Sequence, residues 1–191
     1  EEERVKEEAA DNRSVSEKFA DCLILGDSIT QGLYEYGVLD EANVQADRGT
    51  EVSEVSSKKI EEHIKKAKEM KPEVLFLAYG MNDIEAQNGN ASGFVKAYKN
   101  VIEDLKESLP DTKIYVNCIL PAAQSAIETR PLFANVPKFN QKLKKLCKKE
   151  KVTFIDNTDL VKQEYYADDG IHMSPSYYTK WVDHMAEAAG L

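Results

Sequence analysis

Five short apolar runs alternate along this chain with segments whose apolar residues recur every three or four positions. That alternation constrains the fold more than any other feature. The runs are CLILG (22–26), ANVQAD (42–47), VLFLAYG (74–80), KIYVNCIL (113–120) and VTFID (152–156). A continuous apolar run marks a strand buried on both faces, as in a parallel sheet. Between the runs, Phe94, Tyr98, Val101, Ile102, Leu105 and Leu109 form one helical stripe, and Val136, Phe139, Leu143 and Leu146 form another. Val52, Val55, Ile60, Ile64 and Ala67 form a third and predict a Lys/Glu-rich helix over 52–70. Pro72, Pro110 and Pro121 punctuate segment ends, and Pro175 sits in the first turn of a final helix over 175–189. Strands alternating with helices give an α/β fold: a five-stranded parallel sheet joined by right-handed crossovers. The 191 residues suffice for one domain with a real core. Residues 1–20 are charge-rich without an apolar stripe and read as a linker or surface helix, leaving 21–191 as the domain.

Charge narrows the partners. The formal balance is 25 − 34 = −9, which disfavours nucleic acid and anionic membrane as targets. The densest basic run, KLKKLCKKEK (142–151), reads as the solvated face of a helix. No stretch approaches the roughly 18 apolar residues of a membrane span. The three cysteines, Cys22, Cys118 and Cys147, are an odd number without CxxC spacing, so neither a disulfide framework nor a zinc site is expected. The chain opens on Glu1 rather than Met, and the expectation is that an upstream signal peptide or anchor has been removed.

In open α/β sheets, sites form beyond the carboxyl ends of the strands. After the first strand comes Gly26-Asp27-Ser28; after the second, Arg48-Gly49-Thr50; after the third, Gly80-Met81-Asn82-Asp83. A later loop carries Asp168-Asp169-Gly170-Ile171-His172. A serine hydroxyl is a weak nucleophile until a base takes its proton. Of the three histidines, His63 falls in the charged 52–70 segment and reads as a solvated surface residue. His184 falls in the last helix and reads as structural. His172 lies in a loop, with Asp169 three residues earlier and able to reach its second ring nitrogen in a tight turn. Donors for a developing oxyanion are available at the Ser28 N–H, the Gly49 N–H and the Asn82 side chain. Each has a plainer reading: Gly49 as a turn glycine, and Asn82-Asp83 as a helix cap. Asp27 reads as structural, shaping the turn.

GDSIT near the start, a Gly after the second strand, GMND after the third and DGIH near the end resemble the four sequence blocks of the SGNH hydrolases, also called GDSL esterases/lipases. The likeness spans about residues 21–190. Ile29 stands where the name-giving motif has Leu, and Arg48-Gly49 lacks the Asn often found nearby. The resemblance implies a flavodoxin-like three-layer α/β/α sandwich. It implies Ser28 as nucleophile, His172 as base and Asp169 as its partner, with an oxyanion hole made by Ser28, Gly49 and Asn82, and no metal or organic cofactor. The approach FADCLILGDSITQGLYEYG also looks like secreted or membrane-tethered members from Gram-positive bacteria, which implies an extracellular or cell-surface location; a cytoplasmic one stays open.

The expected activity is serine esterase chemistry through an acyl-enzyme, on a short acyl group such as acetyl carried by a carbohydrate. Lysophospholipase or thioesterase action, O-acyl transfer to a sugar hydroxyl, and a non-catalytic glycan-binding module are the alternatives. The partner is accordingly a small ester or an acylated glycan or lipid; the oligomeric state is left open. Tyr34, Tyr36, Tyr79 and Trp181 are candidates to line a sugar site, with core packing the better reading for most of them.

Overall fold

A computed structural model describes residues 12–191. Its elements run α1 (Val15–Lys18), β1 (Cys22–Gly26), α2 (Ser28–Glu35), β2 (Val44–Ala46), α3 (Ile60–Met70), β3 (Val74–Ala78), α4 (Met81–Ala86), α5 (Ala91–Ser108), β4 (Lys113–Asn117), α6 (Gln124–Thr129), α7 (Val136–Glu150), β5 (Thr153–Ile155) and α8 (Pro175–Ala189). The five apolar runs are thus the five strands: β1 spans its whole run, and the other four are trimmed at one or both ends. All pairs are parallel, in the order β2-β1-β3-β4-β5. β1 is buried at every position, which its continuous apolar run requires.

That order steps left from β1 to β2 and right from β3 onward. Right-handed crossovers therefore put α2 on one face and α3, α5 and α7 on the other. The packing follows: α2 meets α8, whereas α5 lies against α3 and α7. The result is the flavodoxin-like three-layer sandwich. The register aligns the strand ends, with Gly26 paired to Ala46 on one side and to Ala78 on the other.

One expectation needs correction. The helix predicted over 52–70 begins only at Ile60, and residues 51–59 form a loop. Val55, assigned to the stripe, is 59% exposed. The loop wins because two buried carboxylates serve its backbone. Glu51 accepts from the N–H groups of Ser56 and Ser57, and Asp83 from those of Val52 and Ser53. The Ser53 and Ser56 hydroxyls, which donate to Glu51, already weaken helix there. The linker or surface helix expected over 1–20 is described only in part. Residues 1–11 lie outside the described residues. Within the rest, α1 carries a capping box between Ser14 and Glu17, and Phe19 is fully buried, its ring 5.8 Å from that of Phe76. Packing of the domain therefore starts before residue 21.

Candidate active site

β1 and β3 are the neighbours at which the strand order reverses, so the segments leaving them splay to opposite faces and open a crevice. Ser28 leaves β1 as the first residue of α2. Asp27 precedes it as the N-cap, in extended conformation, and its carboxylate accepts from the Ile29 N–H at 2.9 Å. This fixes the corner on which Ser28 stands. Asp27 is buried, and burial pushes its carboxyl up to about 6 despite the Ile29 bond.

The loop before α8 brings the base to this corner. His172 Nε2 is 2.8 Å from Ser28 Oγ, and Nδ1 is 2.5 Å from Asp169 Oδ2. The other Asp169 oxygen accepts from the backbone N–H groups of Ile171 and His172, each at 2.9 Å. Burial alone would raise the Asp169 carboxyl. The ring of His172 and the two backbone donors outweigh it and hold the group below the usual carboxylate range. An ionised Asp169 accepts only, so Nδ1 carries the proton and Nε2 turns its lone pair to the Ser28 hydroxyl. Gly170, inside this turn at φ +68°, cannot be replaced cheaply: a Cβ there would stand 2.9 Å from that of Ala123.

Opposite the base, Asp47, Arg48, Gly49 and Thr50 form a turn closed by the Thr50 N–H on the Asp47 carbonyl, 3.2 Å. Gly49 takes φ +77° there, so the plain reading as a turn glycine holds structurally. Asn82 lies in the first turn of α4, where Gly80 is the N-cap, so Asn82 does not cap that helix. Its amide nitrogen donates to the Thr50 carbonyl at 3.0 Å and stands 3.5 Å from Asp27 Oδ2. One amide hydrogen is thus committed, and the other makes a long contact beside Ser28. The structure brings Ser28, Asp169 and His172 into one hydrogen-bonded series and places Gly49 and Asn82 on the adjoining rim through Thr50. Among the described residues no three His, Cys, Asp or Glu side chains cluster as a metal site would require.

His63 departs from expectation: it is fully buried, not solvated. Its Nδ1 lies 2.7 Å from the Tyr79 hydroxyl and its Nε2 3.0 Å from Asp47 Oδ2. Burial lowers its pKa in spite of Asp47. A neutral ring that gives its Nε2 proton to Asp47 and accepts the Tyr79 O–H satisfies all three groups. The available signal was its place beside Ile60, Ile64 and Ala67 on the apolar stripe. His184 is structural, with Nδ1 2.9 Å from Asn157 Oδ1. Of the candidate sugar-site aromatics, Tyr79 and Trp181 are core, each 2% exposed. Trp181 donates to Asn117, and only Tyr36 is markedly exposed, its ring tilted at 48° against that of Tyr178. A small, mostly apolar recess of about 20 Å³ opens beside Asp27, between Ile29, Met81 and Ile119.

The fold and this arrangement define a class, and comparison agrees with it. Residues 24–180 match the model of the GDSL-like lipase/acylhydrolase family. The chain belongs to that family. Comparison with curated protein sequences gives no match. Among solved structures, a GDSL-like lipase from Bacteroides thetaiotaomicron superposes with TM-score 0.66 at 16% identity, over 88% of this chain and 87% of that one. A carbohydrate esterase of family 3 from Talaromyces cellulolyticus gives 0.67 at 16% identity, over 88% and 95%. A mutant of an acetyl-xylooligosaccharide esterase from Geobacillus Stearmophilus gives 0.65 at 14% identity, over 89% and 94%. At such identities the likeness is one of fold.

Proposed function

We propose that this chain is a serine esterase that works through an acyl-enzyme, with Ser28 as nucleophile, His172 as base and Asp169 as the group that orients and charges the base. The observation that carries the reading is the series from Ser28 Oγ to His172 Nε2, 2.8 Å, and from His172 Nδ1 to Asp169 Oδ2, 2.5 Å. Ser28 Oγ attacks the ester carbonyl while Nε2 takes its proton. The carbonyl oxygen becomes an oxyanion, bonded by the Ser28 and Gly49 N–H groups and the Asn82 amide. Collapse expels the alcohol, which receives the proton from Nε2. Water then attacks the acyl-enzyme and gives Nε2 a proton. The second collapse releases the acid and returns that proton to Ser28.

The substrate we favour is a short acyl ester, such as an acetyl group on a carbohydrate. Two fold neighbours are described as a carbohydrate esterase and an acetyl-xylooligosaccharide esterase, which agrees with that choice. The test is Ser28→Ala. The variant should fold normally, lose hydrolysis of a short-chain chromogenic ester and lose labelling by a fluorophosphonate. Near-normal turnover by a pure preparation would falsify the mechanism. Release of acetate from acetylated oligosaccharides, compared with fatty acid from lysophospholipids, tests the substrate class.

A further inference from the structure

The Gly49 N–H belongs to a peptide unit whose carbonyl is that of Arg48. In a trans peptide the two groups point in opposite directions, and there is no cis bond among the described residues. The orientation of one therefore sets the other. Four-residue turns of this kind exist in two forms, I and II, which differ chiefly by rotation of the central peptide through half a turn. Arg48 has no positive φ, whereas Gly49 sits at +77°, which makes this turn type II.

The flanks of the turn are tied down. The Asp47 side chain is held by His63, and the Asp47 N–H reaches the Gly26 carbonyl at 3.4 Å. The Asp47 carbonyl accepts both the N–H and the hydroxyl of Thr50, and the Thr50 carbonyl accepts from Asn82. The freedom left is rotation of the Arg48–Gly49 peptide. Lys59, the N-cap of α3, puts its ammonium 2.8 Å from the Arg48 carbonyl oxygen. His63, one helical turn further along, grips the same turn at Asp47.

We propose that Lys59 is a positioning residue for the oxyanion hole. Its ammonium holds the Arg48–Gly49 peptide in the type II orientation, so that the Gly49 N–H faces the oxyanion, and polarises that N–H as a donor. This rests on the reading of Ser28 as nucleophile and Gly49 as a hole donor. A charge-assisted hydrogen bond is strong enough to bias a peptide rotation, and hydrogen bonds in series strengthen one another. The lysine itself is exposed, so the bond contributes little to global stability. The Gly49 amide is weakened rather than removed when Lys59 is lost, so the cost should fall below that of a deleted donor.

The test uses the full chain with ¹⁵N-glycine, as wild type, Lys59→Met and Lys59→Arg. Turnover of a short-chain ester, the melting midpoint and the Gly49 amide signal are read before and after Ser28 Oγ displaces fluoride from a fluorophosphonate. In Lys59→Met, kcat should fall about tenfold with KM within about twofold, since a transition-state contact is affected. The melting midpoint should not move. The Gly49 proton should shift downfield in the wild-type adduct and much less in the Met variant, and Lys59→Arg should restore both kcat and shift. If the Gly49 signal ignores adduct formation in the wild type, the assignment of Gly49 to the hole is wrong and the proposal falls with it. If that signal responds equally in wild type and Lys59→Met, with equal kcat, the proposal alone is overturned. A fall in kcat that tracks a lower melting midpoint and is not restored by Arg overturns it as well.

Discussion

Asn82 has two amide hydrogens, one spent on Thr50 and one beside Asp27 at a distance too long to be strong. The second is free to bond an oxyanion at little cost, and it gains more from a full negative charge than from a neutral carbonyl. Only such a difference raises kcat. Asn82→Ala is therefore expected to lower kcat by about 10²–10³ with KM nearly steady. Steady-state kinetics on folded variant decides it; normal kcat would remove Asn82 from the hole. Asp169 has a different duty. Its second oxygen already receives two backbone donors, so Asp169→Asn keeps the loop's hydrogen bonds if the amide oxygen stays there. The amide NH₂ then faces Nδ1 and forces the proton onto Nε2, the wrong nitrogen for a base. A loss of up to about 10⁴ in kcat with an unchanged melting midpoint is the expected outcome.

At the level of elements, α4 does more than carry Asn82. Its Asp83 carboxylate, fully buried, receives the N–H groups of Val52 and Ser53 and so ties the start of the 51–59 loop to α4. Burial raises this carboxyl to about 7 even though those bonds favour the ionised form. A carboxyl whose folded pKa lies above its unfolded one binds protons more tightly when folded. Its stabilising contribution is complete below about pH 4 and is lost as pH rises through about 7. Asp27, raised to about 6, acts in the same sense. In Asp83→Asn the change in melting midpoint between pH 5 and pH 8 should be smaller than in wild type. Equal slopes would show that Asp83 does not titrate in this window. The same region marks the limit of what the sequence makes legible. Strands, the α5 and α7 stripes, and the Gly-Asp-Ser and Asp-x-x-His segments are visible because their cause is local: burial period, a cap, a tight turn. The loop at 51–59 is not, because its apolar spacing imitates a helix while one of its acceptors, Asp83, lies about thirty residues away. His63 was hidden for a related reason. Its helix is rich in Lys and Glu, and its partners Asp47 and Tyr79 meet only once β2 and β3 lie in one sheet.

For the molecule as a whole, the sheet has a chemical end and a structural end. Phe19, just before β1, is buried against Phe76 at the amino end, away from Ser28. Phe19→Ala should cost about 3–5 kcal/mol of stability, seen in denaturant unfolding, while kcat per folded molecule stays at the wild-type value. A change in kcat would mean that strain at one end reaches the other. The opposite end is closed by α8, whose Tyr178 hydroxyl donates to the Ile29 carbonyl in the first turn of α2. Ser28 and His172 are 144 positions apart. On the mechanism proposed above, the nucleophile leaves the ribosome long before its base, and the helix that braces it follows later still. A chain cut short before residue 172 lacks that base and should hydrolyse no ester. Appearance of hydrolysis in a translation reaction thus times the arrival of the last helix.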